Sequence, residues 1–206
     1  MKLHRTTGKP DWELVKPADR NVFQKVAAAT YAVVTPPNLV TVIGLGLVIY
    51  GLIAILQQQY WLGFVTVVVG RLLDIVDGWL AESTGTKSPV GELFDAAADK
   101  AGTLLTIAVF FVASITYWWV IVLLLIPQVI IPFVAYYKRR QGTVVHPTRV
   151  GKLSMAFAWV GLAGLIIIQA TQQFWPSLLS GCVYGIIFIS VAMGVYATWQ
   201  YTTGRD

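Results

Sequence analysis

Across 206 residues the chain is 56% hydrophobic and only 12% charged, with a mean hydropathy of +0.67. That balance excludes an ordinary soluble domain, in which about a quarter of residues are charged, and points to an integral membrane protein. The net charge of +5 suits anionic lipid head groups; nucleic acid is set aside as a partner, because no soluble domain exists to bind it.

Residues 1–35 read as a cytoplasmic N-terminal arm and surface helix, and 36–206 as one membrane domain. The first 30 residues are polar and lack a contiguous apolar core, so no amino-terminal signal peptide is expected. Pro10 and Pro17 break the start, and Ala18 to Tyr31 is expected to form a short amphipathic helix. Val22, Phe23, Val26 and Ala27 cluster on one side, away from Arg20, Gln24 and Lys25, the pattern of a helix lying on a membrane. It is expected to end near Thr35-Pro36-Pro37, where proline resists continuation, with Asn38 opening the first span. Apolar runs long enough to cross a ~30 Å hydrocarbon core then recur near residues 37–56, 61–81, 92–115, 117–137, 152–170 and 175–200. The predicted fold is therefore all-α, with six transmembrane helices. No repeat or second domain is visible, and the single cysteine, Cys182, permits no intrachain disulfide and reads as a small packing residue.

Charge placement gives the expected topology. Lys2, Arg5, Lys9, Lys16, Arg20 and Lys25 precede the first span, and Lys138, Arg139, Arg140, Arg149 and Lys152 lie between the fourth and fifth. The opposite connections, around Gln57 to Tyr60, Ser114 to Tyr117 and Gln169 to Pro176, carry no charge. Lys and Arg accumulate in cytoplasmic loops, so both termini are expected in the cytoplasm of a plasma-membrane protein. Trp61, Tyr117, Trp118 and Trp119 read as aromatic anchors at the far interface.

Four carboxylates interrupt the apolar pattern. Asp74, Asp77, Asp95 and Asp99 stand with Gly78, Ala81 and Gly91 in the spacing D-x2-D-G-x2-A-x9-G-x3-D-x3-D. Charge in lipid surroundings is costly unless it is paired, metal-bound or functional. Asp74 and Asp77 are i,i+3 and fall within roughly 60° of each other on a helix, with Gly78 and Ala81 on that face; Asp95 and Asp99 are i,i+4 on the next. The turn-rich segment from Ser83 to Pro89 lets two antiparallel helices bring both acidic faces together. Hard oxygen ligands suit magnesium, manganese or calcium, not zinc. The small residues leave room for a ligand to approach the backbone, so the pattern reads as a metal-phosphate site on the cytoplasmic side.

The run Asp74-Ile75-Val76-Asp77-Gly78-Trp79-Leu80-Ala81, followed by Gly91, Asp95 and Asp99 at those gaps, resembles the signature of the class I CDP-alcohol phosphatidyltransferases. Thr35-Pro36-Pro37-Asn38-Leu39-Val40-Thr41 is similar to the Thr-Pro-Asn start of the first span in that family. The resemblance implies a six-span homodimeric enzyme with a surface helix, which moves a phosphatidyl group from CDP-diacylglycerol to an alcohol and releases CMP. It implies two Mg2+ or Mn2+ ions held by Asp74, Asp77 and Asp95, with Asp99 contacting metal or serving as general base. Asp74, Gly78, Ala81 and Gly91 would bind the donor. One position departs: the family continues Ala-Arg, and here Glu82 follows Ala81. Either Arg71 or Lys87 supplies the missing cation at the donor, the donor is held differently, or activity is reduced or lost. Arg71, one turn before Asp74, also reads as its ion-pair partner.

Lys138, Arg140, Arg149 and Lys152 are the candidate ligands of a phosphorylated acceptor, since arginine grips phosphate through paired hydrogen bonds. Asp99-Lys100 and Gly151-Lys152 are most similar to phosphatidylglycerophosphate synthases, which favours glycerol 3-phosphate. The Tyr137-Lys138-Arg139-Arg140 run also resembles phosphatidylinositol phosphate synthases. His4 reads as a tail residue and His146 as a structural or surface one. Two other classes remain: an inactive relative that binds or assembles, and a cation transporter, for which the fixed Gly and Ala spacing has no purpose.

Overall fold

The computed structural model describes residues 10–140, 148–171 and 176–203. Their regular structure is helical: short 3-10 turns at Asp11–Leu14 and Pro17–Asp19, then α1 (Val22–Ala29), α2 (Pro36–Leu56), α3 (Tyr60–Thr84), α4 (Pro89–Val112), α5 (Trp118–Arg140), α6 (Arg149–Ala170) and α7 (Pro176–Thr203). The six long helices fall where the six apolar runs lie. By length and composition α2, α6 and α7 are apolar enough to cross a membrane, and α5 carries the shorter apolar stretch Trp118–Pro127. α3 and α4 are long enough but bear Arg71, Asp74, Asp77 and Glu82, and Glu92, Asp95, Asp99 and Lys100, respectively.

α1 is shorter than its sequence suggests. Pro17 opens a separate 3-10 turn, and Asn21 caps the helix with a complete capping box: its side chain accepts from the Gln24 amide and Gln24 Oε1 accepts from the Asn21 amide. Tyr31 and Ala32 take positive φ, 50° and 66°, which ends the helix ahead of the prolines. Pro36 and Pro37 then start α2, because a missing amide hydrogen is harmless in the first turn. Val22, Phe23 and Val26 are exposed as expected, whereas Ala27 turns inward onto Trp12 and Ala32. Cys182 is exposed on α7 and does not pack inside the fold.

The chain divides into two compact units, residues 1–54 with 65–106, and 55–64 with 107–206. In the first, α2 and α3 touch backbone to backbone. A Cβ built on Gly70 would stand 2.6 Å from the Gly44 carbonyl oxygen, and one on Gly44 would stand 2.9 Å from that of Gly70. Gly102 of α4 faces Leu45 and Val48 of α2 and the Arg71 guanidinium, so small residues set the spacing of the three helices. Overpacking costs about 1–3 kcal/mol when the obstacle cannot yield. Gly70→Val is therefore expected to lower the thermal midpoint of the detergent-solubilised protein by several degrees. Gly46→Val, whose Cβ meets nothing within 4 Å, should leave the midpoint unchanged.

In the second unit, Ser154 and Ser190 exchange hydroxyl-to-carbonyl hydrogen bonds between α6 and α7, both 2.8 Å. Gly161 packs on Ile187 and Gly164 on Val183, again small residues at a helix crossing. Tyr117, Trp119 and Tyr184 form an aromatic cluster with ring centroids 6.0–6.4 Å apart. Trp61, Tyr117, Trp118 and Trp119 are exposed.

Candidate active site

The four aspartates occupy two adjoining arrangements in the first unit. In one, Arg71 bridges α3 and α4: its Nη1 is 2.6 Å from Asp74 Oδ2, and its Nη2 donates to Asp99 Oδ1 at 2.5 Å. All three side chains are only 20–25% exposed. A guanidinium shared by two carboxylates fixes the rotation of both helices, so Asp74 and Asp99 are held in place by the same cation. Arg71 thus forms the ion pair its spacing suggests, and it adds a cross-helix partner that spacing alone does not reveal.

The second arrangement is an open cleft of about 430 Å³ lined by the first turns of α2, the last turns of α3, the connecting loop and the start of α4. Asp77, Gly78, Ala81, Lys87, Gly91 and Asp95 all line it. Asp77 is 4% exposed and accepts a short hydrogen bond from the Thr41 hydroxyl. A Cβ on Gly78 would meet nothing within 4 Å, so its face opens into free space, while one on Gly91 would crowd Ser88 Oγ at 3.2 Å and Asn38 Oδ1 at 3.4 Å.

Glu82 and Glu92 also line the cleft, and Lys87 Nζ sits between them, 3.7 and 3.9 Å away. The carboxylate at 82 is therefore partnered by Lys87, a partly exposed cation whose surface ion pairs are weak.

Local chain chemistry explains the loop. α3 ends in a Schellman motif, with Thr86 N donating to Ala81 O, Gly85 N to Glu82 O, and Gly85 at φ +64. Ser88 caps α4 by accepting from Gly91 N at 2.9 Å. The helix N-terminus at Pro89 thereby places its positive dipole end beside the carboxylates of the cleft.

Several contributors were not singled out from the sequence. Thr41 and Asn38 belong to the Thr35-to-Thr41 run already noted, but their tasks were not visible there: Thr41 orients Asp77, and Asn38 Nδ2 donates to the carbonyls of Ala32 and Val33 while its residue lines the cleft. Thr86, Ser88, Trp79 and Glu92 are likewise lining residues.

The candidate acceptor residues belong to the other unit. Arg140 ends α5, and Arg149 and Lys152 occupy the first turn of α6; all three are exposed. Thr148 caps α6 by accepting from Gly151 N at 3.1 Å. The Lys138 side chain and residues 141–147, with His146, lie outside the described residues, as do Lys2, His4, Arg5 and Lys9.

Among the described residues no three His, Cys, Asp or Glu side chains converge on a common point. Arg71 stands between Asp74 and Asp99. The donor set nevertheless fits a hard divalent cation by its chemistry, since every candidate ligand is a carboxylate oxygen.

The site is thus a carboxylate-lined cleft with one lysine at its rim, set in an all-helical, strongly apolar chain. The sequence profile of the CDP-alcohol phosphatidyltransferases matches residues 34–197, and the chain belongs to that family. It is also 35% identical, over an alignment of 111 positions, to an uncharacterised CDP-alcohol phosphatidyltransferase class-I family protein of Schizosaccharomyces pombe. That alignment covers 46% of this chain and 28% of the relative.

Proposed function

We propose that the protein transfers a phosphatidyl group from CDP-diacylglycerol to glycerol 3-phosphate, releasing CMP, as a step in phospholipid synthesis. The observation that carries this reading is the meeting of Asp77, Gly78, Ala81, Gly91 and Asp95 around one cleft. Gly78 and Ala81 leave the cleft wall open for the cytidine, and Lys87 beside the α4 N-terminus meets the diphosphate. Two magnesium or manganese ions, held by Asp74, Asp77, Asp95 and Asp99, would neutralise the diphosphate and the CMP leaving group. Asp99 takes the proton from the acceptor hydroxyl. The hydroxyl oxygen then attacks the phosphorus that carries the diacylglycerol, the bond from that phosphorus to the bridging oxygen breaks, and CMP leaves with the electron pair. Arg71 holds the Asp99 carboxylate in place, and the Thr41 hydroxyl orients that of Asp77.

The acceptor's phosphate is bound by Lys138, Arg140, Arg149 and Lys152. Support comes from Arg149 and Lys152, cations in the first turn of α6, where the helix dipole repels them unless an anion is shared. Helices α2 to α7 form six spans, with α1 on the membrane surface through Val22, Phe23 and Val26. Both termini and the cleft are cytoplasmic at the plasma membrane, as the Lys and Arg distribution favours, and the enzyme acts as a homodimer.

Purified protein given CDP-diacylglycerol and a panel of labelled alcohols and phospho-alcohols identifies the acceptor by its lipid product. Phosphatidylglycerophosphate is the expected product. Incorporation of inositol phosphate instead would transfer the same chemistry to the other acceptor. Lys87→Ala is expected to raise the KM for CDP-diacylglycerol about tenfold, the loss of one charge-assisted contact, with kcat little changed. An unchanged KM would remove Lys87 from the donor site.

A further inference from the structure

The connection between α3 and α4 is held from outside by the N-terminal segment. Asn21 Nδ2 donates to the Thr84 carbonyl at 3.1 Å, Gln24 Nε2 donates to the Gly85 carbonyl at 3.2 Å, and the Asp11 amide donates to the Lys87 carbonyl at 3.0 Å. The Schellman motif satisfies the Ala81 and Glu82 carbonyls but leaves those of Thr84 and Gly85 pointing away from the helix, and these are the two that Asn21 and Gln24 reach. The segment is itself ordered: Trp12 is buried against Ala27 and Ala32, and Arg20 Nε donates to the Trp12 carbonyl at 2.9 Å. Gln24 is 9% exposed.

We infer that Asn21 and Gln24 are positioning residues for the donor-binding cleft, clamping the loop that presents Thr86, Lys87 and Ser88 to it. The inference rests on the functional reading above for the identity of the donor, but the clamp itself does not. Each residue has two roles that can be separated. The oxygen of each side chain serves the α1 capping box, and the amide nitrogen of each serves the loop. A residue that keeps the oxygen and loses the nitrogen breaks the clamp and spares the helix. Gln24→Glu does this with added charge, and Asn21→Ser does it without, since serine is an equally good N-cap.

The test uses the full chain in detergent or nanodiscs, with two readouts. Backbone hydrogen exchange over residues 83–88 should accelerate about tenfold in each variant, while α1 exchange stays as in the parent; one hydrogen bond is commonly worth about that factor. The KM for CDP-diacylglycerol should rise severalfold with kcat preserved, and the double variant should exceed either single one. Unchanged exchange in the loop overturns the clamp. Faster exchange with an unaltered KM overturns its link to the cleft. Melting of α1 in both variants, with the loop following it, would reduce the two residues to helix caps and overturn the inference equally. If the parent shows no turnover of CDP-diacylglycerol, the functional reading fails, and the exchange arm still decides the clamp.

Discussion

Asp77→Asn should lower CMP release by about 10³-fold while the protein inserts and folds as before. Asparagine matches aspartate in size, and its side-chain oxygen still accepts from the Thr41 hydroxyl, so the packing around this buried position survives. What disappears is a full negative charge at the wall of the cleft. Stabilisation of phosphoryl oxygens by a bound divalent ion is worth several kcal/mol, and each 1.36 kcal/mol is a factor of ten in rate. The check is CMP release by purified variant and parent at saturating donor, with magnesium or manganese supplied. Turnover equal to the parent's would remove Asp77 from the chemistry.

Asp99→Asn should separate binding from transfer. A general base is needed only when the acceptor attacks, so transfer should fall by at least ~10²-fold while CDP-diacylglycerol still binds within a few-fold of the parent affinity. Arg71 loses one of its two carboxylates in this variant but keeps Asp74 at 2.6 Å, so the α3 side of the site is preserved. Single-turnover transfer and equilibrium donor binding, measured on the same preparation, decide the matter. Parallel losses in both would make Asp99 chiefly a metal ligand and would move the base elsewhere.

Local pattern made much of this architecture legible. Long apolar runs mark where the helices α2 to α7 fall, and three of them, α2, α6 and α7, are apolar enough over their length to cross a membrane. The D-x2-D-G-x2-A spacing places Asp77, Gly78 and Ala81 on neighbouring turns of α3, and the cleft forms there. Departures arise where distant partners decide. Asn21 and Gln24 read as ordinary residues of a short helix, because their partners, Thr84 and Gly85, lie 63 and 61 positions away. Gln24, grouped with the polar side of α1, is buried for that reason, and Ala27 is drawn inward by Trp12. The Arg71 bridge needs the relative rotation of α3 and α4, which no single-helix periodicity contains. Gly44 and Gly70 pass for unremarkable apolar-helix residues until the two backbones are seen in contact.

The most direct measurement of the central claim is acceptor-dependent CMP formation from CDP-diacylglycerol by the purified protein. The account predicts CMP released in equal amount to a new phospholipid when glycerol 3-phosphate is present. It also predicts loss of both products on chelation and their return with magnesium or manganese. No CMP with any alcohol or phospho-alcohol in the panel, in protein that remains folded, would contradict the assignment of the α3–α4 cleft to phosphatidyl transfer.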